Sequence, residues 1–307
     1  MKKWGCIVAG ILVANLTGLA AIGICWLIGR LAGPHALTAA LYPSVLLMPI
    51  AMGVAASFFW ARTQMGVWAE LLATVAAVAF GCGGAYLVLK EGTICILIAS
   101  PILLGAMFAG VMIGRVIFRP RNGTKLQLSL LPLLLLAAPA ELLTRTDYTD
   151  SVADEIVIRA PAATVFKHVT AFSPIEEAPD FWLFKLGLPS PSCTTTAGNF
   201  IGADRKCIFS NGLVFGETVV ELKPNELLTF DIVDQPKDPE LLGHLTLHRG
   251  QFALRANPDG TTTLTGRSWY TLHVRPLWYF DAWTRLITRQ VHLRVMRHIK
   301  QLSETSA

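Results

Sequence analysis

Two charged residues, Arg205 and Glu217, stand out in the otherwise apolar stretch GADRKCIFSNGLVFGE, residues 202–217. The Asn-Gly pair in its middle favours a tight turn. If Phe209 pairs with Leu213 across that turn, Arg205 and Glu217 become cross-strand neighbours, because paired residue numbers in an antiparallel hairpin keep a constant sum. Two interpretations remain open. The charges form an ion pair that fixes the hairpin register, or they hold the polar end of a ligand in a mostly apolar cavity.

The last predicted hairpin carries residues that could transfer protons. Alternation along its strands places the even-numbered residues on the inner face, so His248, Ser268 and Tyr270 are expected there. A buried histidine beside a tyrosine can serve as acid or base, and Glu217 is a third candidate. The spacing fixes no pair of nucleophile and base. The alternative to an acid or base is therefore a histidine whose hydrogen bonds are satisfied in the core, or one that contacts a ligand.

Aromatic and polar side chains of the inner face make up the expected ligand site. They are Trp182, Arg205, Phe209, Phe215, Glu217, His248, Phe252, Ser268, Tyr270 and Trp283. The two tryptophans are interpreted as core or cavity wall, with specific stacking as the alternative.

The sequence predicts neither a metal nor a cofactor. His244 and His248 would lie about 13 Å apart along a strand, and no third ligand has a suitable spacing. Cys193 and Cys207 are the only cysteines of the polar half. A disulfide between them is an option if that half lies outside the cytoplasm.

The composition divides the chain into an apolar and a polar half. Overall 53% of the residues are hydrophobic and 15% are charged, which is typical of a protein with a membrane region. Residues 1–144 contain nine Lys/Arg and three Asp/Glu, a net charge of +6, whereas the remainder contains seventeen and eighteen, a net charge of −1. The basic excess therefore indicates membrane topology, and no nucleic-acid partner is expected.

The apolar half is interpreted as a transmembrane bundle of four or five helices. Its four clear runs cover residues 5–29, 38–60, 67–89 and 94–114. A fifth run, 126–143, is interrupted by two prolines and is ambiguous. The distribution of Lys and Arg predicts a multi-pass protein of the cell (inner) membrane with a cytoplasmic amino terminus. Five spans would place the polar half outside the cytoplasm, and four would leave it inside.

The spans themselves offer little chemistry. Asn15, Thr17 and Glu70 are about the only notable polar side chains in them, whereas a pump or an ion path needs several ionisable groups. Gly110 and Gly114 form a Gly-x-x-x-Gly pair of the kind that allows close helix packing. An anchoring bundle is expected, and a homo-oligomer formed through these helices is possible.

The polar half has the pattern of an α+β domain. A linker, 145–153, precedes a strand at 154–160. Two short helices are predicted at 161–172 and 175–186. Five strands joined by short turns follow, at 199–209, 213–222, 226–233, 245–256 and 261–274. The chain closes with an amphipathic helix, 276–304, whose apolar stripe must lie on the sheet. Its arginines and lysine are interpreted as a solvated face, with anionic lipid contact as the alternative.

This order of elements resembles the START/SRPBCC superfamily, specifically its polyketide cyclase/dehydrase and lipid transport branch. The resemblance rests on IVIRAPAATVFKHVTAF, GADRKCIFSNGLVFGETV, HRGQFALRANPDGTTTLTGRSWY and VHLRVMRHIK, within residues 154–304. It implies a helix-grip fold, with an antiparallel sheet wrapped on the carboxy-terminal helix, and a hydrophobic ligand such as a lipid, isoprenoid or polyketide. A membrane-anchored binding module is the first hypothesis. A cyclase, dehydratase or hydrolase using the same cavity is the second, and an interaction or stress-response scaffold is the third.

Overall fold

The structure, a computed structural model, describes residues 3–32, 34–63, 65–118, 148–241 and 244–306. The chain forms two compact units, which divide between residues 146 and 147. The first unit is helical and the second combines helices with one sheet.

Four long helices form the first unit. They are α1 (Lys3–Ala32), α2 (Pro34–Trp60), α3 (Val67–Gly84) and α4 (Thr93–Phe118), with a 3₁₀ turn at Ala61–Thr63 and a π-helical turn at Ala85–Leu89. All four are long and apolar enough to cross a membrane. They coincide with the four runs expected from the sequence. The fifth run, 126–143, lies outside the described residues.

Small residues allow α2 and α4 to approach each other closely. A Cβ atom on Gly110 would lie 2.1 Å from the carbonyl oxygen of Ile50, and one on Gly114 would lie 1.7 Å from the Ser57 hydroxyl. The Gly-x-x-x-Gly pair is therefore used within the chain. Nearby, Arg115 donates to the buried Glu70 carboxylate at 2.6 Å and joins the end of α4 to the start of α3.

One antiparallel sheet of seven strands dominates the second unit. The strands are β1 (Tyr148–Ile158), β2 (Pro191–Thr196), β3 (Asp204–Phe209), β4 (Val214–Lys223), β5 (Leu227–Asp234), β6 (Leu245–Ala256) and β7 (Thr262–Leu272). Their order is β1-β7-β6-β5-β4-β3-β2, so the first strand of the unit pairs with the last. Two short helices, α5 (Ala162–Thr170) and α6 (Trp182–Lys185), connect β1 to β2.

Four sequence-based boundaries were wrong. The strand predicted at 199–209 begins only at Asp204. The expected linker is already strand from Tyr148 onward, because β7 extends to Leu272 and offers it partners. The segment 187–198, between the second predicted helix and the strand predicted at 199–209, contains β2, which pairs with β3. The second short helix is a single turn, α6, because the residues between Ile175 and Phe181 run in an irregular path beside the carboxy-terminal helix.

That terminal helix, α7 (Leu277–Thr305), packs on the concave face of the sheet, which confirms the helix-grip fold. Met296 and Ile299 are fully buried in its main core, against residues such as Leu264 and Ile158. A second, smaller cluster surrounds Tyr270. At about 25 cal/mol for each square ångström of apolar surface, this burial is the main stabilising contribution to the unit.

Candidate functional site

The predicted ion pair exists and is fully enclosed. Arg205 pairs with Glu217 across β3 and β4, as the turn register predicted, and both side chains are at most 5% exposed. The guanidinium also donates to the carbonyl oxygens of Thr170 at 3.2 Å and Val169 at 3.4 Å. Its planar group lies 4.3 Å from the ring centre of Phe230. Arg205 therefore ties the carboxyl end of α5 to the sheet, which favours the structural interpretation of the pair.

The surroundings of this pair exclude water. Burial raises the pKa of Glu217, against the lowering effect of the Arg205 charge and hydrogen bond. Burial likewise raises the pKa of the Cys207 thiol to about 12. Cys193 and Cys207 lie on the neighbouring strands β2 and β3, and both are free thiols. A thiol with so high a pKa is not a nucleophile at neutral pH.

The expectation that His248 faces the interior was wrong. A β-bulge in β6 leaves His248 unpaired, because Leu247 opposes Tyr270 and Arg249 opposes Trp269. The imidazole is exposed and its Nε2 lies 2.7 Å from the Thr271 hydroxyl, on the face opposite Tyr270. The sequence analysis assumed that inward and outward side chains alternate strictly along β6, and the extra residue of the bulge interrupts that alternation. The structure therefore does not bring the three acid and base candidates, His248, Tyr270 and Glu217, together.

Tyr270 takes part in a different polar cluster. Its hydroxyl donates to Asp281 at 2.6 Å, and Arg285 joins Asp281 to Asp150 of β1. Burial, together with the hydrogen bond to Asp281, raises the pKa of Tyr270. Burial alone would raise the pKa of Asp150, but hydrogen bonds from Tyr148 and the Ser151 amide, with the Arg285 charge, lower it overall. This cluster fastens the start of α7 to the sheet.

Ser268 belongs to a third arrangement, with two residues that the sequence reasoning missed. Its hydroxyl lies 2.8 Å from Nε2 of His292, and Nδ1 of the same ring lies 2.9 Å from the Asp154 carboxylate. Ser268 is partly buried, whereas His292 and Asp154 are at most 9% exposed. A signal was available in the sequence. Asp154 shares the even-numbered face of β1 with Ile156 and Ile158, which is an unusual place for an unpaired carboxylate.

The predicted aromatic residues divide between the core and a more open region. Phe252 lies in the main core beside Phe230. Phe209 and Phe215 form a ring pair at 5.0 Å, and Trp182 and Trp283 form another at 6.3 Å. None of these four belongs to the two core clusters described above. Phe215 is buried, at 5% exposed, whereas Trp182 is 46% exposed and Phe209 and Trp283 are only partly buried.

A narrow cleft runs between α7 and the segment 175–184. Its volume is about 160 Å³, and its walls include Phe181, Phe184, Arg294 and His298. The buried Nδ1 atom of His298 has no hydrogen-bond partner there, although Nε2 lies 3.0 Å from the carbonyl oxygen of Ser173. The cleft is smaller than the range of about 300–1,000 Å³ that is typical of small-molecule pockets.

Four basic residues of α7 are 40–63% exposed, as expected of a solvated face, and each also has an acidic partner. Arg285 pairs with Asp281 and Asp150, and Arg289 lies 3.4 Å from Asp154. Arg297 lies 3.6 Å from Asp180 and Lys300 lies 3.7 Å from Glu304. Arg294 instead donates to the carbonyl oxygens of Pro191 and Glu177. Within the described parts of the chain, no group of three His, Cys, Asp or Glu residues is placed to hold a metal ion.

No protein-family model and no curated protein matches this sequence. Solved structures of the helix-grip type do resemble it. A point mutant of norcoclaurine synthase from Thalictrum flavum, in complex with a transition-state analogue, is 13% identical, with a TM-score of 0.37. The alignment covers 53% of this chain and all of the enzyme.

Two further solved structures resemble the chain to a similar extent. The di-domain aromatase/cyclase BexL, from the BE-7585A biosynthetic pathway, is 18% identical, with a TM-score of 0.34 and 57% of each chain covered. A protein from Thermobifida fusca is 20% identical, with a TM-score of 0.33, covering 50% of this chain and 92% of that protein. An activity does not transfer at identities this low, so function has to be inferred from the residues themselves.

Proposed function

We propose that this chain is a membrane-anchored binding module whose helix-grip domain holds a hydrophobic small molecule between the sheet and α7. The main support for the proposal is the partial exposure of Phe209, Trp182 and Trp283. These aromatic side chains lie partly exposed beside a fully buried core. Large aromatic surfaces gain free energy when an apolar partner covers them.

The ligand region begins where the closed core ends. Along β4 the inward residues Val219, Glu217 and Phe215 are all buried, and the side chain beyond them, Phe209, is only partly buried. On β7, Gly266 packs near Met296 of the core, and Ser268 comes next. A few placed polar groups at the edge of an apolar surface are typical of small-molecule sites. Lipids, isoprenoids and polyketides are the classes that suit this combination.

The cleft between α7 and segment 175–184 is too small for such a molecule, and its walls include neither Trp182 nor Trp283. Binding between the sheet and α7 therefore requires α6 to move. This segment suits that role, because it is one helical turn that carries the exposed Trp182. The movement would also expose Leu183 and Phe184, which are 0% and 8% exposed, so the ligand has to offset that cost. Ligand then replaces the contact between the two tryptophans.

The four apolar helices support a membrane location for the module. Anchoring raises the local concentration of the domain near the lipids or other apolar compounds of the bilayer. The same helices are the candidates for any homo-oligomeric contact.

The test is to purify the full chain in detergent and identify any compound that is bound in stoichiometric amount by native mass spectrometry and extraction. Trp283→Ala should lose that compound. Trp278→Ala is the matched control, because Trp278 lies on the same helix and is 73% exposed. Loosely held bilayer lipid would accompany both variants equally. If the two variants carry the same compounds in the same amounts, the proposed site is wrong.

A further inference from the structure

The arrangement of Ser268, His292 and Asp154 has the geometry of an activated nucleophile. A serine hydroxyl is a weak nucleophile until a base accepts its proton, and the base works best when a third group orients it. Here the base lies 2.8 Å from the hydroxyl and 2.9 Å from the orienting carboxylate. The three residues come from β7, α7 and β1, so packing of the helix on the sheet fixes their relative positions.

The protonation states follow from the donors and acceptors. The Asp154 carboxylate can only accept, so Nδ1 of His292 carries the proton between them and Nε2 is left to accept from Ser268. Arg289 lies 3.4 Å from the second carboxylate oxygen of Asp154. Burial lowers the pKa of His292, and its hydrogen bond to Asp154 opposes this effect only in part. The imidazole is therefore neutral near pH 7, as a general base must be.

We propose that Ser268 is a nucleophile for acyl transfer, acting on esters or thioesters of hydrophobic acids held on the concave face. This proposal rests on the proposed function, since it uses the same face for the ligand. Ser268 lies between the main core and the cluster around Tyr270, where the inner face is not fully closed.

The reaction has two balanced steps. In the first, the Ser268 oxygen bonds to the acyl carbon, its proton passes to Nε2 of His292, and the alcohol or thiol leaves with that proton. In the second, water attacks the acyl carbon and gives a proton to Nε2. The bond from the acyl carbon to Ser268 then breaks, the proton returns to the serine oxygen, and the free acid leaves. Asp154 keeps the ring oriented throughout.

The experiment uses the full chain in detergent with an alkyl fluorophosphonate probe and a series of p-nitrophenyl esters. Peptide mass spectrometry should locate the probe on Ser268. Ser268→Ala should abolish the label, and Asp154→Asn should slow labelling and ester hydrolysis by at least about 100-fold. His248→Ala should change neither rate. It is the matched control, because His248 also contacts a hydroxyl group, at 2.7 Å, on the outer face.

The pH profile separates catalysis from mere packing. The labelling rate of the wild type should fall as the pH is lowered and His292 becomes protonated. The residual labelling rate of Asp154→Asn should show a different dependence on pH. A folded wild type that leaves Ser268 unlabelled would overturn the nucleophile while the ligand test above stands unaffected. Labelling of Ser268 in a protein that retains no hydrophobic compound would refute the binding module instead.

Discussion

At the residue scale, the buried charges of Arg205 and Glu217 are tolerated because they pair with each other. Arg205 has further partners, since two backbone carbonyl groups and an aromatic face also surround its guanidinium. Removing one partner of such a pair leaves an uncompensated buried charge. Removing both is less harmful than the sum of the single losses.

The first prediction is a double-mutant cycle on this pair. Arg205→Met and Glu217→Leu should each lower the free energy of unfolding by about 3–5 kcal/mol, and the double variant should lose much less than their sum. Urea denaturation of the full chain in detergent measures these values. The control is Arg249 with Asp231, a pair at 2.6 Å whose side chains are 47% and 37% exposed, with an expected coupling of about 1 kcal/mol or less. Equal coupling in the two pairs would contradict the importance assigned to burial.

The second prediction concerns Asp150 and pH. The pKa of Asp150 is lower in the folded protein than in the unfolded chain, so its ionised carboxylate stabilises the fold. This stabilisation is fully present above the unfolded pKa of about 3.9, and it is lost as the pH falls through the folded pKa. Asp150→Asn should lower the melting temperature at pH 7. Below pH about 4, the melting temperature of this variant should fall less steeply with decreasing pH than that of the wild type. Asp180→Asn, at a site 90% exposed, should alter neither. A decline that stays as steep in Asp150→Asn would refute the assignment.

At the scale of elements, the sequence predicted whatever depends on local pattern. The Asn-Gly turn led to the register of Arg205 and Glu217, and the periodicity of 276–304 led to α7. It did not predict β2, since Pro191–Thr196 has too few apolar residues to read as a strand, and its pairing with β3 provides the missing stabilisation. His292 and Asp154 are 138 positions apart, and only the packing of α7 on β1 brings them together.

The bulge in β6 gives a third prediction, because it is one residue too many in an otherwise regular ladder. Deleting His248 should leave a folded domain, since Leu247 and Arg249 would then continue the alternation without changing faces. Deleting Gln251 should prevent folding, because it would turn either Phe252 or Gly250 to the wrong face. Limited proteolysis and thermal melting of the two variants measure the difference. Equal loss of stability would show that the bulge itself is required.

Helix packing in the first unit leads to a fourth prediction. Gly110→Ala should separate α2 from α4 and lower the thermal stability, because the new methyl group would meet the Ile50 backbone. Gly105→Ala in the same helix should be neutral or stabilising by about 0.5–1 kcal/mol, since its Cβ would meet no atom within 4 Å. Melting curves in detergent compare the two. Equal destabilisation would mean that close approach at Gly110 does not hold the bundle together.

At the scale of the whole molecule, the side of the membrane decides which compounds the domain can meet. If the amino terminus is cytoplasmic, as the distribution of Lys and Arg predicts, four spans would leave the domain in the cytoplasm and a fifth span over 126–143 would place it on the other side. The sequence leaves this question open, because ten leucines in that run favour crossing while Pro132 and Pro139 oppose it. The side also sets the redox environment of the two free thiols, Cys193 and Cys207.

The fifth prediction is that the domain lies outside the cytoplasm. In a cysteine-free background, Asp180→Cys should react with a membrane-impermeant maleimide in intact bacterial spheroplasts, because that side chain is 90% exposed. Gly66→Cys, between α2 and α3, marks the expected cytoplasmic side and should react only after lysis, whereas Lys90→Cys should react before it. Labelling of Asp180→Cys only after lysis would remove the fifth span. The domain would then draw its ligand from the inner leaflet, and the thiols would stay reduced.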